Sequence, residues 1–395
     1  MWRDRSRDGS GLVSGSLPAL AAVGPDAGSP AGPPDARVGA SLPEVTIAIV
    51  TWNARTLLET CLTSLAAVDY PADRLEVLVH DNGSRDGTSD WLALAWPRAR
   101  GTASPGNLGF AAPCNALVRT AAAPLVCLVN NDMTFAPDFL RRMVEAWHES
   151  GATCVGARIC DATGERQEYE GGSVNLHGHG APLGFVKVVT HGVGWRDTLF
   201  ASGGAMLVER ERFLAAGGFA ADYFAYFEDV DLGWRLGALG QRCVVARGAR
   251  VFHREHGSEA ALGQGGRLVL LERNGLLNIV RNYGSDWAEP VFAWALALLA
   301  ERMRLVPEQA RDRRRALASA MAALPAARRA GRALAERRRV RDEEVVARFV
   351  EPLRPVLGGE EYAEIQSRLA REFGIDRLLE RVGSRGVAAS PDAAS

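Results

Sequence analysis

From Val45 onward the chain alternates short apolar runs with longer amphipathic stretches. Residues 45–50 are apolar and β-branched, the pattern of a strand buried on both faces. Residues 54–67 place Leu57, Leu58, Cys61, Leu62 and Leu65 at helical spacing, one stripe that seeks a core. Residues 75–79 predict a second strand, ended by the turn chemistry of Asp81-Asn82-Gly83. Asp86-Gly87-Thr88 opens a helix carrying Trp91, Leu92 and Leu94. Residues 110–121 read as another helix, and residues 125–129 as a third core strand. This alternation predicts an α/β fold with a mostly parallel, doubly wound sheet. Such sheets bind ligands beyond the carboxyl ends of their strands.

Residues 151–200 are Gly-rich and weakly patterned, which suits extra strands and loops laid over the sheet. A strand resumes at 200–208. A short helix over 210–216 is stopped by Gly217-Gly218, and a second over 230–239 by Gly240. Residues 243–252 read as the last strand, and from about residue 285 the chain turns helical and rich in Ala, Leu and Arg. The expected organisation is therefore a tail over 1–43, an α/β domain over 44–284, a helical C-terminal region over 285–382 and a second tail over 383–395. The first tail holds too few large apolar residues to offset the entropy of ordering it.

Composition narrows the class. With 47% hydrophobic and 24% charged residues, the chain has the balance of a soluble globular protein. A formal net charge of −1 argues against a nucleic-acid partner. The 6 cysteines form no CxxC pair and sit mostly in apolar runs, as core thiols of a reducing compartment do. The longest apolar run, residues 291–300, falls well short of the ~18 residues of a membrane span. Arg3, Arg5 and Arg7 alternate with Asp4 and Asp8 and no apolar stretch follows, unlike a secretory signal. A cytoplasmic protein is the expectation.

The polar clusters fall at the predicted strand ends. Thr51-Trp52-Asn53 follows the first strand and residues 81–88, DNGSRDGT, follow the second. An Asp in such a crevice can accept bonds from a nucleotide base or ribose. Read alone, Asp81 to Gly87 better suits a turn and helix N-cap. Asn130-Asn131-Asp132 follows the third strand, where a carboxylate can hold a hard divalent cation. Glu228, Asp229 and Asp231 crowd carboxylates between aromatics and a helix face. Burial there would raise a carboxyl pKa toward that of a general base. The alternative is acidic residues stabilising a helix N-terminus. His253, directly after the last strand, could join Asp132 on a metal.

Together these segments resemble the family 2 glycosyltransferases, in particular the bacterial group that includes rhamnosyl- and galactofuranosyl-transferases. The likeness rests on VTIAIVTWNARTLLETCLTSL, VLVHDNGSRDGT, NLGFAAPCNALV, LVNNDMTF, ASGGAMLVERERFLAAGGF, FEDVDLGWRLGALG and VFHREHGS, in that order over residues 45 to about 260. It implies a GT-A fold, with Thr51, Asn53, Asp81, Asn107, Gly109 and Asn131 around the nucleotide. Asp132 matches the last acid of the family's DXD motif and, with His253, would hold Mn2+ or Mg2+. Asp229 matches the catalytic base, with Glu228 positioning it. Gly203, Gly204 and Asp231 would face the donor or acceptor sugar. The implied reaction is inverting transfer from a UDP- or dTDP-sugar to an acceptor hydroxyl, in cell-surface polysaccharide or glycolipid synthesis. Asn130 and Asn131 stand where the family has acids, which also fits a catalytically weak nucleotide-sugar-binding protein.

Beyond the resemblance, residues 301–349 hold dense arginines, among them Arg313-Arg314-Arg315, Arg328-Arg329 and Arg337-Arg338-Arg339. They fit a cationic helical surface for anionic lipid or a lipid-linked acceptor on the inner membrane face. They equally fit a solvated helix face.

Overall fold

A computed structural model describes residues 42–184, 192–254 and 259–386. The expected tails lie outside the described residues except at their inner ends, and so does the 255–258 end of the VFHREHGS segment.

The strands are β1 (Val45–Thr51), β2 (Leu75–Asp81), β3 (Ala99–Ala103), β4 (Leu125–Asn130), β5 (Met133–Phe135) and β6 (Cys154–Asp161). They continue with β7 (Gln167–Tyr169), β8 (Gly172–Val174), β9 (Gly180–Pro182), β10 (Trp195–Thr198), β11 (Ala205–Glu209) and β12 (Cys243–His253). The helices of the first part are α1 (Arg55–Leu65), α2 (Thr88–Ala95), α3 (Ala111–Thr120), α4 (Phe139–Ser150), α5 (Arg210–Ala215) and α6 (Glu228–Ala238). Then come α7 (Glu259–Asn282), interrupted at Gly263, α8 (Ser285–Leu305), α9 (Ala310–Arg337), α10 (Asp342–Val346), α11 (Glu360–Glu372) and α12 (Ile375–Gly386).

One sheet runs β10-β12-β6-β11-β4-β1-β2-β3. The expected parallel pairing holds over β4-β1-β2-β3. Beyond β4 the sheet is mixed, because β11 enters antiparallel between β4 and β6. β12 then pairs parallel to β6. The consequence is geometric: the C-terminal ends of β1, β2, β4 and β12 and the N-terminal end of β11 share one edge. The apolar runs explain the order. β1 and β4 are buried along nearly their whole length, and α1 covers one face through Leu58, Cys61, Leu62 and Leu65.

The helical region starts earlier than the 285 expected, since α7 already begins at Glu259, and it ends at Gly386, past the expected start of the second tail. Trp287, Val291, Trp294, Ala295, Leu298 and Leu299 of α8 are buried, so the apolar run at 291–300 is largely core rather than a membrane patch. The arginine density is partly structural as well. Glu272 on α7 accepts from Arg302 at 2.7 Å and Arg313 at 3.0 Å, all three buried. Arg338 pairs with Asp342 at 2.9 Å. All the cysteines are free and buried. Among the described residues no helix is long and apolar enough to cross a membrane.

Candidate active site

The first wall of the site is made from strand ends. Thr51 closes β1, fully buried, and its hydroxyl accepts from the Asn131 carboxamide beyond β4 at 2.8 Å. Asn53 adopts a φ of 47°. There its amide donates to Ser84 Oγ and its side-chain oxygen accepts from the Arg85 amide, each at 2.8 Å. These bonds clasp the loop after β1 to the loop after β2. Asp81 accepts from the Ser84 amide at 2.9 Å and from the Ser89 hydroxyl, so both its oxygens first of all shape that loop. Its neighbour Asn82 reaches the other way. Its NH2 group donates to Gly109 O at 2.7 Å and to Asn107 Oδ1 at 3.0 Å, and its oxygen accepts from the Leu108 amide. Gly109 has a φ of 80°, and a Cβ there would lie 2.3 Å from Phe224 O. Only glycine permits that approach.

Next to this wall lies a carboxylate–imidazole pair. Antiparallel pairing of β5 with β12 sets His253 opposite Met133, and the Arg254 amide donates to Asp132 O at 2.9 Å. This places Asp132 Oδ2 3.5 Å from His253 Nε2. Asp132 Oδ1 is buried without a hydrogen-bond partner, a cost in a dry interior. On its other side, His253 Nδ1 lies 2.9 Å from Glu168 Oε2. Asp132 and Glu168 together push the His253 pKa up to about 10. Cis ligands on a divalent ion with bonds of about 2.1 Å sit about 3 Å apart, so the Asp132–His253 spacing and the orphaned oxygen fit such an ion. Among the described residues no set of three or more His, Cys, Asp or Glu side chains forms a cage by itself.

The second wall is the turn that precedes α6. Phe224 has φ 66° and ψ −68°, and Tyr226 and Phe227 also have positive φ. This is costly backbone of the kind concentrated at functional sites. The Phe224 carbonyl accepts from the Phe110 amide at 2.5 Å and the Ala111 amide at 3.2 Å, which ties the turn to the start of α3. The turn delivers Glu228 and Asp229 to the N-terminus of α6. Asp229 Oδ2 accepts from the Gly203 amide at 3.0 Å and Oδ1 from the Val230 amide at 2.8 Å, and the residue keeps part of its surface open. Burial raises its carboxyl above the usual range, against the pull of those amides. Glu228 is buried, has an unpartnered Oε2, and is raised well above the usual range by burial and then by Asp229. The two walls meet at Gly203-Gly204, because the Asn130 amide donates to Gly204 O at 3.0 Å.

A family model described as "Glycosyl transferase family 2" matches residues 46–212. Residues 46–212 carry a family 2 glycosyltransferase domain. It is 28% identical over 304 residues to the N-acetylglucosaminyl-diphospho-decaprenol L-rhamnosyltransferase of Mycobacterium tuberculosis, covering 69% of this chain and 96% of that one. The fold resembles GalNAc-T7 solved with UDP, GalNAc and Mn2+, at a TM-score of 0.52 and 14% identity over 64% of this chain and 50% of that one. It also resembles S. aureus TarS 1-349 in complex with UDP-GlcNAc, at a TM-score of 0.50 and 16% identity, covering 87% and 92% of the two chains. The fold is GT-A and the activity class is glycosyl transfer.

The candidate site gathers most of the residues expected from sequence along one sheet edge. Asp231 is the exception and is corrected. It is 0% exposed, paired with Arg235 and bonded to Asn282 Nδ2 at 3.0 Å, with Arg281 3.4 Å away. Burial alone would raise its carboxyl, but Arg235 and then Arg281 hold it below the usual range. Asp231 therefore anchors α6 to α7 and does not face a sugar. The helical spacing three residues after Glu228 put it on the inner face.

Sequence reading missed what holds the second wall. Asn274, Asn278 and Asn282 stand at successive turns on one face of α7, each 0% exposed. The Asn274 carboxamide donates to the carbonyls of Tyr223, Ala225 and Tyr226 at 2.7–3.1 Å. Asn278 donates to Gly178 O at 2.7 Å and accepts from the Tyr223 hydroxyl at 2.8 Å. The i, i+4, i+8 spacing in RNGLLNIVRN was the available signal.

Proposed function

We propose that this protein is an inverting glycosyltransferase that moves a sugar from a UDP- or dTDP-linked donor to a hydroxyl of a lipid-linked saccharide. The carrying observation is Asp229. A carboxylate of raised basicity is aimed by the Gly203 amide, next to the Gly204–Asn130 bond that leads to Asp132. In this reading the loops at Thr51, Asn53, Asp81, Asn107 and Gly109 receive the nucleoside, and Asn131 spans the strand ends beneath it. A divalent metal, Mn2+ or Mg2+, held by Asp132 and His253 would supply Lewis-acid neutralisation of the departing diphosphate. Asp229 takes the proton of the attacking hydroxyl at Oδ1 or Oδ2 while the hydroxyl oxygen bonds to the anomeric carbon on the face opposite the leaving group. One displacement inverts that carbon. Glu228, buried directly before Asp229 at the start of α6, positions it, and Gly203 and Gly204 bring backbone against the sugar.

A place in surface polysaccharide or glycolipid synthesis is supported by the name of the mycobacterial relative, whose acceptor is a polyprenyl-diphosphate sugar. A cytoplasmic protein seated peripherally on the inner membrane face fits the exposed side of α9, which carries Arg311, Arg314, Arg315, Arg328, Arg329 and Arg332. Anionic lipid attracts such a face.

The test is a panel of UDP-, dTDP- and GDP-sugars with Mn2+, Mg2+ or chelator, read as nucleoside diphosphate release and as the anomeric configuration of the product by NMR. Metal-dependent release from one donor with an inverted product is expected. A retained anomer, or no binding of any nucleotide sugar, overturns the reading.

A further inference from the structure

The segment that carries Glu168 matches none of the motif-bearing loops, yet its side chain reaches the His253 imidazole beside the wall of strand ends. We infer that Glu168 is the positioning carboxylate of His253, fixing the ring tautomer and orientation that present Nε2 to a divalent cation beside Asp132. The inference rests on the proposed role of His253 as a metal ligand.

The geometry is specific. β7 pairs antiparallel with β6, and β6 pairs with β12 so that Asp161 lies opposite His253. Within β7, Gln167 and Tyr169 are buried and turned into the core, while Glu168 between them takes the other face, with 14% of its side chain exposed. That alternation delivers its carboxylate to His253 Nδ1 at 2.9 Å. Asp132 Oδ2 lies against the opposite ring nitrogen, at 3.5 Å. The two carboxylates therefore grip different edges of one ring, and Glu168 cannot share an ion with Nε2. What it can do is accept the Nδ1 proton. A cation beside Asp132 would displace the Nε2 proton, and the ring, still donating from Nδ1 to Glu168, would offer its Nε2 lone pair on the side where Asp132 Oδ1 also lacks a partner. Carboxylates in this position orient metal-binding histidines and raise their basicity, and their loss typically costs about 10- to 100-fold in metal affinity.

The test titrates Mn2+ against the full chain, with the free-ion signal read by electron paramagnetic resonance, in wild type, His253→Ala, Glu168→Ala and Glu168→Gln. Glu168→Ala is expected to weaken Mn2+ binding about 10- to 100-fold, and Glu168→Gln, which keeps an acceptor oxygen, less. In the Mg2+-loaded protein, 15N NMR is expected to show His253 protonated on Nδ1 in wild type and to lose that pattern in Glu168→Ala. Loss of affinity in His253→Ala with wild-type affinity in both Glu168 variants overturns this inference alone. Unchanged affinity in His253→Ala, or no Mn2+ binding by the wild type, overturns the metal reading beneath it. If Glu168→Ala does not fold, the Glu168→Gln titration and the wild-type tautomer decide.

Discussion

The two walls of the site meet at Gly203-Gly204, yet they are held by different means. The wall of strand ends is secured locally: Thr51 to Asn131, Asn53 to the 84–85 turn and Asn82 to the 107–109 loop, all short bonds between loops that the parallel sheet already brings together. The 223–229 turn is tied to the start of α3 through Phe224 O and to Gly203 through Asp229, and beyond these bonds it depends on a distant helix. Its backbone is strained at Phe224, Tyr226 and Phe227, and its carbonyls are held from outside by Asn274 of α7. It also carries Glu228, buried, and Asp229, partly open, both with carboxyl pKa values raised by burial. A wall of low internal cost suits recognition of a constant group such as a nucleotide. A wall that stores strain and buried charge suits the chemical step, where misplacement is expensive.

The largest expected effect separates the walls at the base itself. Asp229→Asn keeps the shape and can still accept from the Gly203 amide, but it is no longer a base. Its kcat should fall about 10²- to 10⁴-fold, while donor affinity, measured by calorimetry with the nucleotide sugar, stays within a few-fold of wild type. Near-normal turnover would remove Asp229 from the chemistry.

A smaller effect should follow from loosening the same wall at a distance. Asn274→Ala leaves three turn carbonyls without their shared donor, which costs about 1–3 kcal/mol for a buried unsatisfied group. Such a shift of the turn by about 1 Å can cost ~10²-fold in rate. The split is the test: kcat falls and donor affinity does not. Equal loss of both would mean that α7 supports the whole site rather than one wall.

The same comparison explains what could be read from sequence. β1 and β4 are buried along nearly their whole length and β2 over its last four residues, so their apolar runs are conspicuous and so are their polar exits, and Thr51, Asp81 and Asp132 stand out in the sequence alone. β3 did not, because as an edge strand most of its residues are exposed and carry no pattern. The antiparallel entry of β11 was hidden too, since the apolar content of a strand says nothing about its direction. The asparagine face of α7 was illegible for a stronger reason. Asn is a poor helix former and usually marks a solvated or capping position, so its burial makes sense only once the carbonyls of a distant turn are seen opposite it. Asp231 misled in the reverse direction: an acid beside the Glu228-Asp229 pair looks functional until Arg235 and Arg281 are found around it. The arginines of the C-terminal helices divide likewise, with Arg302 and Arg313 spent on Glu272 inside and others on the outer face of α9.

The smallest effect concerns the charge stored in the turn wall. Glu228 has a folded pKa well above the ordinary value near 4.3. The unfolded chain therefore releases this proton at lower pH than the folded one. Stability contributed by the protonated carboxyl is full below about pH 4 and is lost as pH rises toward the folded pKa. Glu228→Gln removes that loss, because an uncharged carboxamide of the same shape has no proton to release. The difference in Tm, variant minus wild type, should thus become more positive by a few degrees, about 2–4 °C per kcal/mol, between pH 4.5 and pH 8, even as the variant loses activity. Asp229, raised in the same direction, remains in both proteins and cancels in the difference. A Tm difference for Glu228→Gln that stays flat with pH would mean that the turn wall carries no charge cost, and the contrast between the walls would reduce to backbone strain alone.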